Sequence, residues 1–317
     1  MKHVFVVGCP RSGTTWVQFL LAQHPSVATV RETHVFSEYL GCLNKKWEQQ
    51  KSRSATTVGL TPLLSEDEFY ALCRDFAEKV LQKIADTNPA ATVMLEKTPQ
   101  HVRHAQFILA LFPKARFIHI VRDPRSVVSS LRAAAHSWGS TWASSIIRDN
   151  AKLWCSDVTS GREIRHLTNR YWEIRYEDLK GSGGVRLVQD LFRWLELPVD
   201  AEFVARAFEA SQQALEACQI DQLFVGRVRI RSFNSLNIPN PESSRRGTVD
   251  GWKQDLSRRD IETVEYIAKD LMQDYGYQCS RITEKRSKKP RYLSIQDLFD
   301  GVNWRVRAGL NKMRAIL

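Results

Sequence analysis

Residues 2–25, KHVFVVGCPRSGTTWVQFLLAQHP, constrain this chain more than any other stretch. Val4 to Val7 form a β-branched and aromatic run too short for a helix and followed by a turn signal, which reads as a buried parallel strand. The turn Gly8-Cys9-Pro10-Arg11-Ser12-Gly13-Thr14-Thr15 comes next, and Trp16, Val17, Phe19, Leu20 and Leu21 then follow at helical spacing. Strand, glycine turn and helix in that order gather backbone N–H groups and the positive end of a helix around an anion.

The spacing is that of the P-loop, G-x-x-x-x-G-K-[ST], with Thr14 in the lysine slot. A P-loop kinase or ATPase sets that lysine on the β- and γ-phosphates and the next hydroxyl on magnesium. Here the turn's only cation is Arg11, and two hydroxyls close it. It is therefore expected to hold one phosphate without a metal, with a positive charge beside it. An ordinary βα turn rich in Gly and Ser is the alternative, and it leaves the coincidence of strand, turn and helix unexplained.

With 317 residues, 43% hydrophobic and 26% charged, the chain has the balance of a soluble globular protein. One α/β domain over residues 1–280 is expected, followed by a basic linker and an amphipathic helix over 281–317. No apolar run is long enough to span a membrane, and the start has no leader-like segment, so a cytoplasmic protein is expected. The six cysteines are scattered without a C-x-x-C pair, and His101 and His104 lack a third ligand nearby in sequence, so no metal is expected. Much of the net charge of +11 sits in the tail, where ten Lys or Arg after residue 280 face Glu284, Asp297 and Asp300. Such a tail suits peripheral contact with an anionic membrane surface, or simple solvation; nucleic acid is not expected as a partner.

Further along, Ser26 to Val30 reads as a short strand leading to Arg31-Glu32-Thr33. Gly41 to Pro62 lacks a period and reads as a loop with short helical pieces. Ser65 to Glu68 is a capping box opening a helix of about five turns. Thr92 to Leu95 reads as a strand delivering Glu96-Lys97-Thr98 to the sheet edge where open α/β folds bind ligands. Arg116 to Val121 is another buried strand, and it ends in Arg122-Asp123-Pro124-Arg125 before a helix carrying Ser126, Ser129 and Ser130, a second candidate phosphate site. A helix is expected over Trp142 to Val158, a strand over Tyr171 to Tyr176, and helices over 185–195, 201–216 and from Ser257 onward. Arg227 to Glu242 reads as a long loop, and RRGTVDGWK, Arg245 to Lys253, combines cations with glycines as a phosphate clamp would.

Together these stretches resemble the PAPS-dependent sulfotransferases. Pro10 to Trp16 (PRSGTTW) is similar to the family's 5′-phosphosulfate loop, and Arg122 to Ser130 (RDPRSVVSS) to its 3′-phosphate motif. Arg245 to Lys253 resembles a third family segment, with Asp250 and Gly251 in exchanged order. The local pattern is most similar to tyrosylprotein sulfotransferases and related bacterial proteins. The resemblance implies an α/β fold with a central, mostly parallel sheet flanked by helices, of the P-loop-containing nucleotide hydrolase-like type.

It also implies transfer of a sulfuryl group from PAPS to an acceptor hydroxyl, with PAP as product and no metal. Glu32, eight residues after His24, takes the place of the general base, Lys97 stabilises the leaving group, and Arg11 serves both binding and catalysis. The implied donor contacts are Ser12, Gly13, Thr14, Thr15, Trp16, Arg122, Ser130, Tyr176, Arg245, Arg246 and Gly247. The histidine that cytosolic members carry two residues after the lysine has no match, because Pro99 stands there. Ser232 and Ser235 are candidates for a catalytic serine. A glycan hydroxyl is the first expectation for the acceptor and peptide tyrosine the second. A P-loop kinase and a non-catalytic polyanion-binding protein remain the alternatives.

Overall fold

The computed structural model describes residues 1–52, 58–137, 139–216 and 248–280, the side chains at 214–216 excepted. Arg227 to Glu242, Ser232 and Ser235, the clamp residues Arg245, Arg246 and Gly247, and the tail after residue 280 all lie outside the described residues.

Five strands, β1 (Lys2–Gly8), β2 (Val27–Thr29), β3 (Val93–Lys97), β4 (Arg116–Val121) and β5 (Tyr171–Arg175), make one parallel sheet in the order β2-β3-β1-β4-β5. The expected α/β architecture is therefore present. β1 lies between β3 and β4, with Val6 opposite Lys97 and Gly8 opposite Ile120. The chain leaves β1 towards β2 on one side and later returns to add β4 on the other, so the switch point where such sheets bind ligands lies at the end of β1. Val4 to Val7 are wholly buried, which is why the run is continuously apolar rather than alternating.

By its contacts the chain forms two compact units, one of residues 1–122 and 157–248 and the other of residues 123–156 and 249–317. The first contains the sheet. Its helices are α1 (Thr14–Leu21), α2 (Leu40–Lys51), α3 (Glu66–Ala85), α4 (Ala105–Leu111), α7 (Tyr176–Lys180), α8 (Gly184–Trp194) and α9 (Ala201–Glu216). Phe5 stacks on Phe117 at 5.6 Å and meets Phe36 edge-on at 5.8 Å, at the centre of an aromatic and aliphatic core. Burying each such ring contributes about 1.5–3 kcal/mol.

The second unit is built from α5 (Pro124–Ala135), the first half of α6 (Ile147–Leu167), α10 (Trp252–Asp255) and α11 (Arg258–Asp274). Val128, Ala151 and Val264 form its core. Arg125 ties it together: its guanidinium bonds Asp123, reaches Glu265 at 2.8 Å and lies 4.1 Å from the centre of the Trp252 ring.

Three expectations are corrected. Gly41 to Pro62 is not mainly loop, because α2 occupies its first half and a five-residue π-helical turn, Val35–Tyr39, leads into it. Only Leu40, Gly41 and Trp47 of α2 are buried, too few to show a period, and Trp47 is held by stacking on Phe69 at 4.2 Å. The helix expected from Trp142 starts later and runs further, from Ile147 to Leu167. Tyr176 also opens α7 rather than closing β5.

Candidate active site

The turn after β1 is set by three backbone conformations. Gly8 has φ 150° and an added Cβ would lie 2.5 Å from the Ile120 carbonyl oxygen, so β4 passes against it. Arg11 adopts φ 72°, unusual for a residue with a side chain. Gly13 has φ 100°, and a Cβ there would lie 2.5 Å from the Tyr176 ring. Gly13 also begins α1 without a side-chain cap, which leaves first-turn amides of the helix for another acceptor. Ser12 is buried, and its Oγ has no hydrogen-bond partner among the described residues. A buried hydroxyl without a partner, beside a helix start and an arginine, fits an anionic oxygen.

Below the turn, Trp16 and Tyr176 are both buried and meet edge-on at 5.4 Å. Trp16 Nε1 donates to Ser211 Oγ at 3.0 Å, and Lys180 Nζ lies 5.0 Å over its ring. Arg122, directly after β4, lies 4.3 Å over the Tyr176 ring and donates to the carbonyls of Arg11 and Thr248 at 3.3 and 2.8 Å. Arg122 thus braces the turn at Arg11 and meets Thr248, within the Arg245 to Lys253 stretch expected as a clamp. Thr14 is buried, whereas Thr15 is only partly so.

Lys97 and Glu32 form an ion pair at the ends of β3 and of the segment after β2. Lys97 Nζ also donates to Thr15 Oγ1 at 3.1 Å, so one ammonium group links the turn to the carboxylate. The lysine side chain is 4% exposed and the glutamate 34%. His34 approaches the other Glu32 oxygen, with Nε2 3.3 Å from Oε2. Burial favours a protonated Glu32, but hydrogen bonds from His34 and Lys97 and the charge of Lys97 overcome it, bringing its pKa down to about 2.

What holds Glu32 there is a buried cluster that sequence reasoning missed. Glu96 Oε1 accepts from the Thr33 amide at 3.2 Å, the Thr33 hydroxyl at 2.8 Å and the Thr98 hydroxyl at 2.7 Å. Its other oxygen lies 2.8 Å from His101 Nδ1, while His101 Nε2 accepts the Phe36 amide at 3.1 Å. These bonds draw residues 33–36 onto the end of β3, next to Lys97. From the other side, Gln18 of α1 donates to Thr29 Oγ1 and the Val30 carbonyl at 2.7 and 2.6 Å. The only local signal was position: Glu96 and Thr98 flank Lys97, and Thr33 follows Glu32.

The structure thus brings Gly13, Thr15, Trp16, Glu32, Lys97, Arg122 and Tyr176 into linked contacts in the first unit, with Arg11, Ser12 and Thr14 in the same turn. Ser130 belongs to α5 in the second unit. Its neighbours there, Ser126 and Ser129, are engaged with the Val249 carbonyl and Asp255, each at 2.8 Å. Among the described residues no group of three or more His, Cys, Asp or Glu could hold a metal ion.

A model of the sulfotransferase family matches residues 3–201. A protein-tyrosine sulfotransferase of Drosophila melanogaster is 26% identical over 199 residues, covering 62% of this chain and 35% of that protein. Nodulation protein NoeE of Sinorhizobium fredii is 21% identical over 285 residues, covering 87% of this chain and 66% of that protein. Mouse sulfotransferase SULT7A1, solved in complex with PAP, superposes with a TM-score of 0.50 at 13% identity, over 90% of this chain and 89% of that one. The chain spans about a third of the tyrosine sulfotransferase and 66% of NoeE.

Proposed function

We propose that this chain, which belongs to the sulfotransferase family, transfers the sulfuryl group of PAPS to an acceptor hydroxyl, with residues 1–280 as the transferase domain. The observation that carries this reading is the Lys97–Glu32 pair tied to Thr15 of the anion turn. It sets a carboxylate and an ammonium group beside the place where a 5′-phosphosulfate would be held. The mouse relative bound to PAP supports the same donor.

Arg11, Ser12 and the amides from Gly13 to Thr15 would hold the phosphosulfate. Glu32 would take the acceptor's proton as its oxygen attacks sulfur. Negative charge then grows on the oxygen leaving with PAP, where Lys97 and Arg11 can meet it, each well-placed donor worth about 3 kcal/mol. A carboxylate whose pKa is about 2 is a weak base. Lys97 must therefore exchange Glu32 for the donor before transfer, which frees the base as it places the cation.

Of the two acceptor classes, a tyrosine phenol is favoured. Its ordinary pKa of about 10 demands less of a weak base than an alcohol does, and the relatives named protein-tyrosine sulfotransferases point the same way. A glycan hydroxyl, the first expectation, is the competing acceptor.

Thermal shift separates this reading from a P-loop kinase. PAP should raise the melting temperature strongly without added metal, whereas stabilisation by ATP with magnesium and none by PAP would favour the kinase. Labelled PAPS offered with tyrosyl peptides, glycans and phenols then names the acceptor.

A further inference from the structure

We propose that His34 is a positioning residue for Glu32, holding the carboxylate when protonated and receiving its proton when neutral. The inference rests on the reading of Glu32 as the base. His34 lies between two carboxylates: Nε2 is 3.3 Å from Glu32 Oε2, and Nδ1 is 3.4 Å from Glu38 Oε1 and 3.2 Å from Ser37 Oγ. Glu38 and Ser37 belong to the π-helical turn that follows, so both nitrogens of the ring are oriented by neighbours fixed in sequence. The residue is also held at its backbone. It adopts φ 54°, and its amide donates to Thr98 Oγ1 at 3.3 Å.

The charged groups around the imidazole are Glu32 and Glu38 on its own segment and Glu96 on β3, all of which favour its protonated form, while burial opposes it. Lys97, also on β3, competes with it for Glu32. Each Glu32 oxygen therefore faces one basic side chain, Lys97 at Oε1 and His34 at Oε2. When Lys97 turns to the donor, His34 alone decides whether the carboxylate can act. With the imidazolium in place, Nε2–H remains bonded to Oε2 and Glu32 stays a weak base. With a neutral ring whose proton sits on Nδ1, facing Glu38 and Ser37, Nε2 is open. The acceptor O–H bond then breaks as its oxygen bonds to sulfur and the sulfur–bridge oxygen bond breaks. The proton passes from the acceptor to Glu32 and on to Nε2, so the products are the sulfate ester, PAP and an imidazolium.

Asparagine is the informative replacement, because it tolerates the left-handed conformation and can donate to Glu32 but cannot titrate. Two measurements test the inference. Proton NMR of the full-length protein should show the His34 ring titrating above the ordinary value of 6.5, and below the wild-type midpoint in Glu32→Gln. Transfer from labelled PAPS to a tyrosyl peptide should rise with pH through the same midpoint. In His34→Asn that limb should vanish and the plateau rate fall about tenfold, with PAP affinity unchanged. An His34 midpoint that Glu32→Gln does not move overturns the inference, as does a wild-type pH profile in His34→Asn. Full activity in Glu32→Gln would instead overturn the underlying reading of the base.

Discussion

Lys97 and Glu32, 65 residues apart in sequence, meet in an ion pair at the carboxyl edge of the sheet, and the same ammonium group reaches Thr15 of the anion turn. Lys97 is nearly buried, so its charge is neither solvated nor screened as a surface lysine's would be. Its neutral replacement should therefore do two separable things. Lys97→Met is expected to lower kcat by about a hundredfold or more, while PAP affinity falls far less. It should also raise the Glu32 pKa from about 2, visible as a shifted carboxyl resonance in a pH titration.

Acid stability follows from the same pair. A carboxylate whose folded pKa lies below its unfolded value stabilises the fold above the unfolded value and loses that contribution as pH falls through the folded one. For Glu32 the window runs from the ordinary 4.5 down to about 2. Denaturant unfolding of the wild type should weaken across that window more steeply than unfolding of Glu32→Gln.

The buried carboxylate of Glu96 carries a larger structural weight. Glu96→Ala strands the Thr33 amide, two threonine hydroxyls and His101 in the interior. A loss of about 3 kcal/mol or more is expected, read as a lower midpoint in urea.

Gly13→Ala places a Cβ against the Tyr176 ring at a backbone angle that side chains rarely adopt. About 1–3 kcal/mol of strain is expected. Because the strain falls on the anion turn itself, PAP affinity should drop along with the melting temperature. A variant that keeps wild-type PAP affinity would show that the turn does not hold the donor.

Much of the fold and part of the site were legible because they are local. Strand, turn and helix from Lys2 to Leu21 are contiguous, and β4 coincides with the expected Arg116–Val121 run. The Ser65–Glu68 capping box likewise opens α3 where its spacing placed it. Glu32 and Lys97 were each legible, but their pairing was not, since nothing local shows that β3 inserts beside β1. The Glu96–Thr33–Thr98–His101 cluster was hidden for the same reason. Helix α2 was missed because most of its surface is solvated, and Trp47 draws its order from Phe69 in another helix.

The most direct measurement is the initial rate of labelled sulfuryl transfer from PAPS, compared between wild type and Glu32→Ala under conditions where both bind PAP. Transfer by the wild type in the presence of a metal chelator, with none above background by Glu32→Ala, is the expected result. Equal rates for the two proteins would contradict the role assigned to Glu32, and no transfer by the wild type to any tyrosyl peptide, glycan or phenol offered would contradict the proposed activity itself.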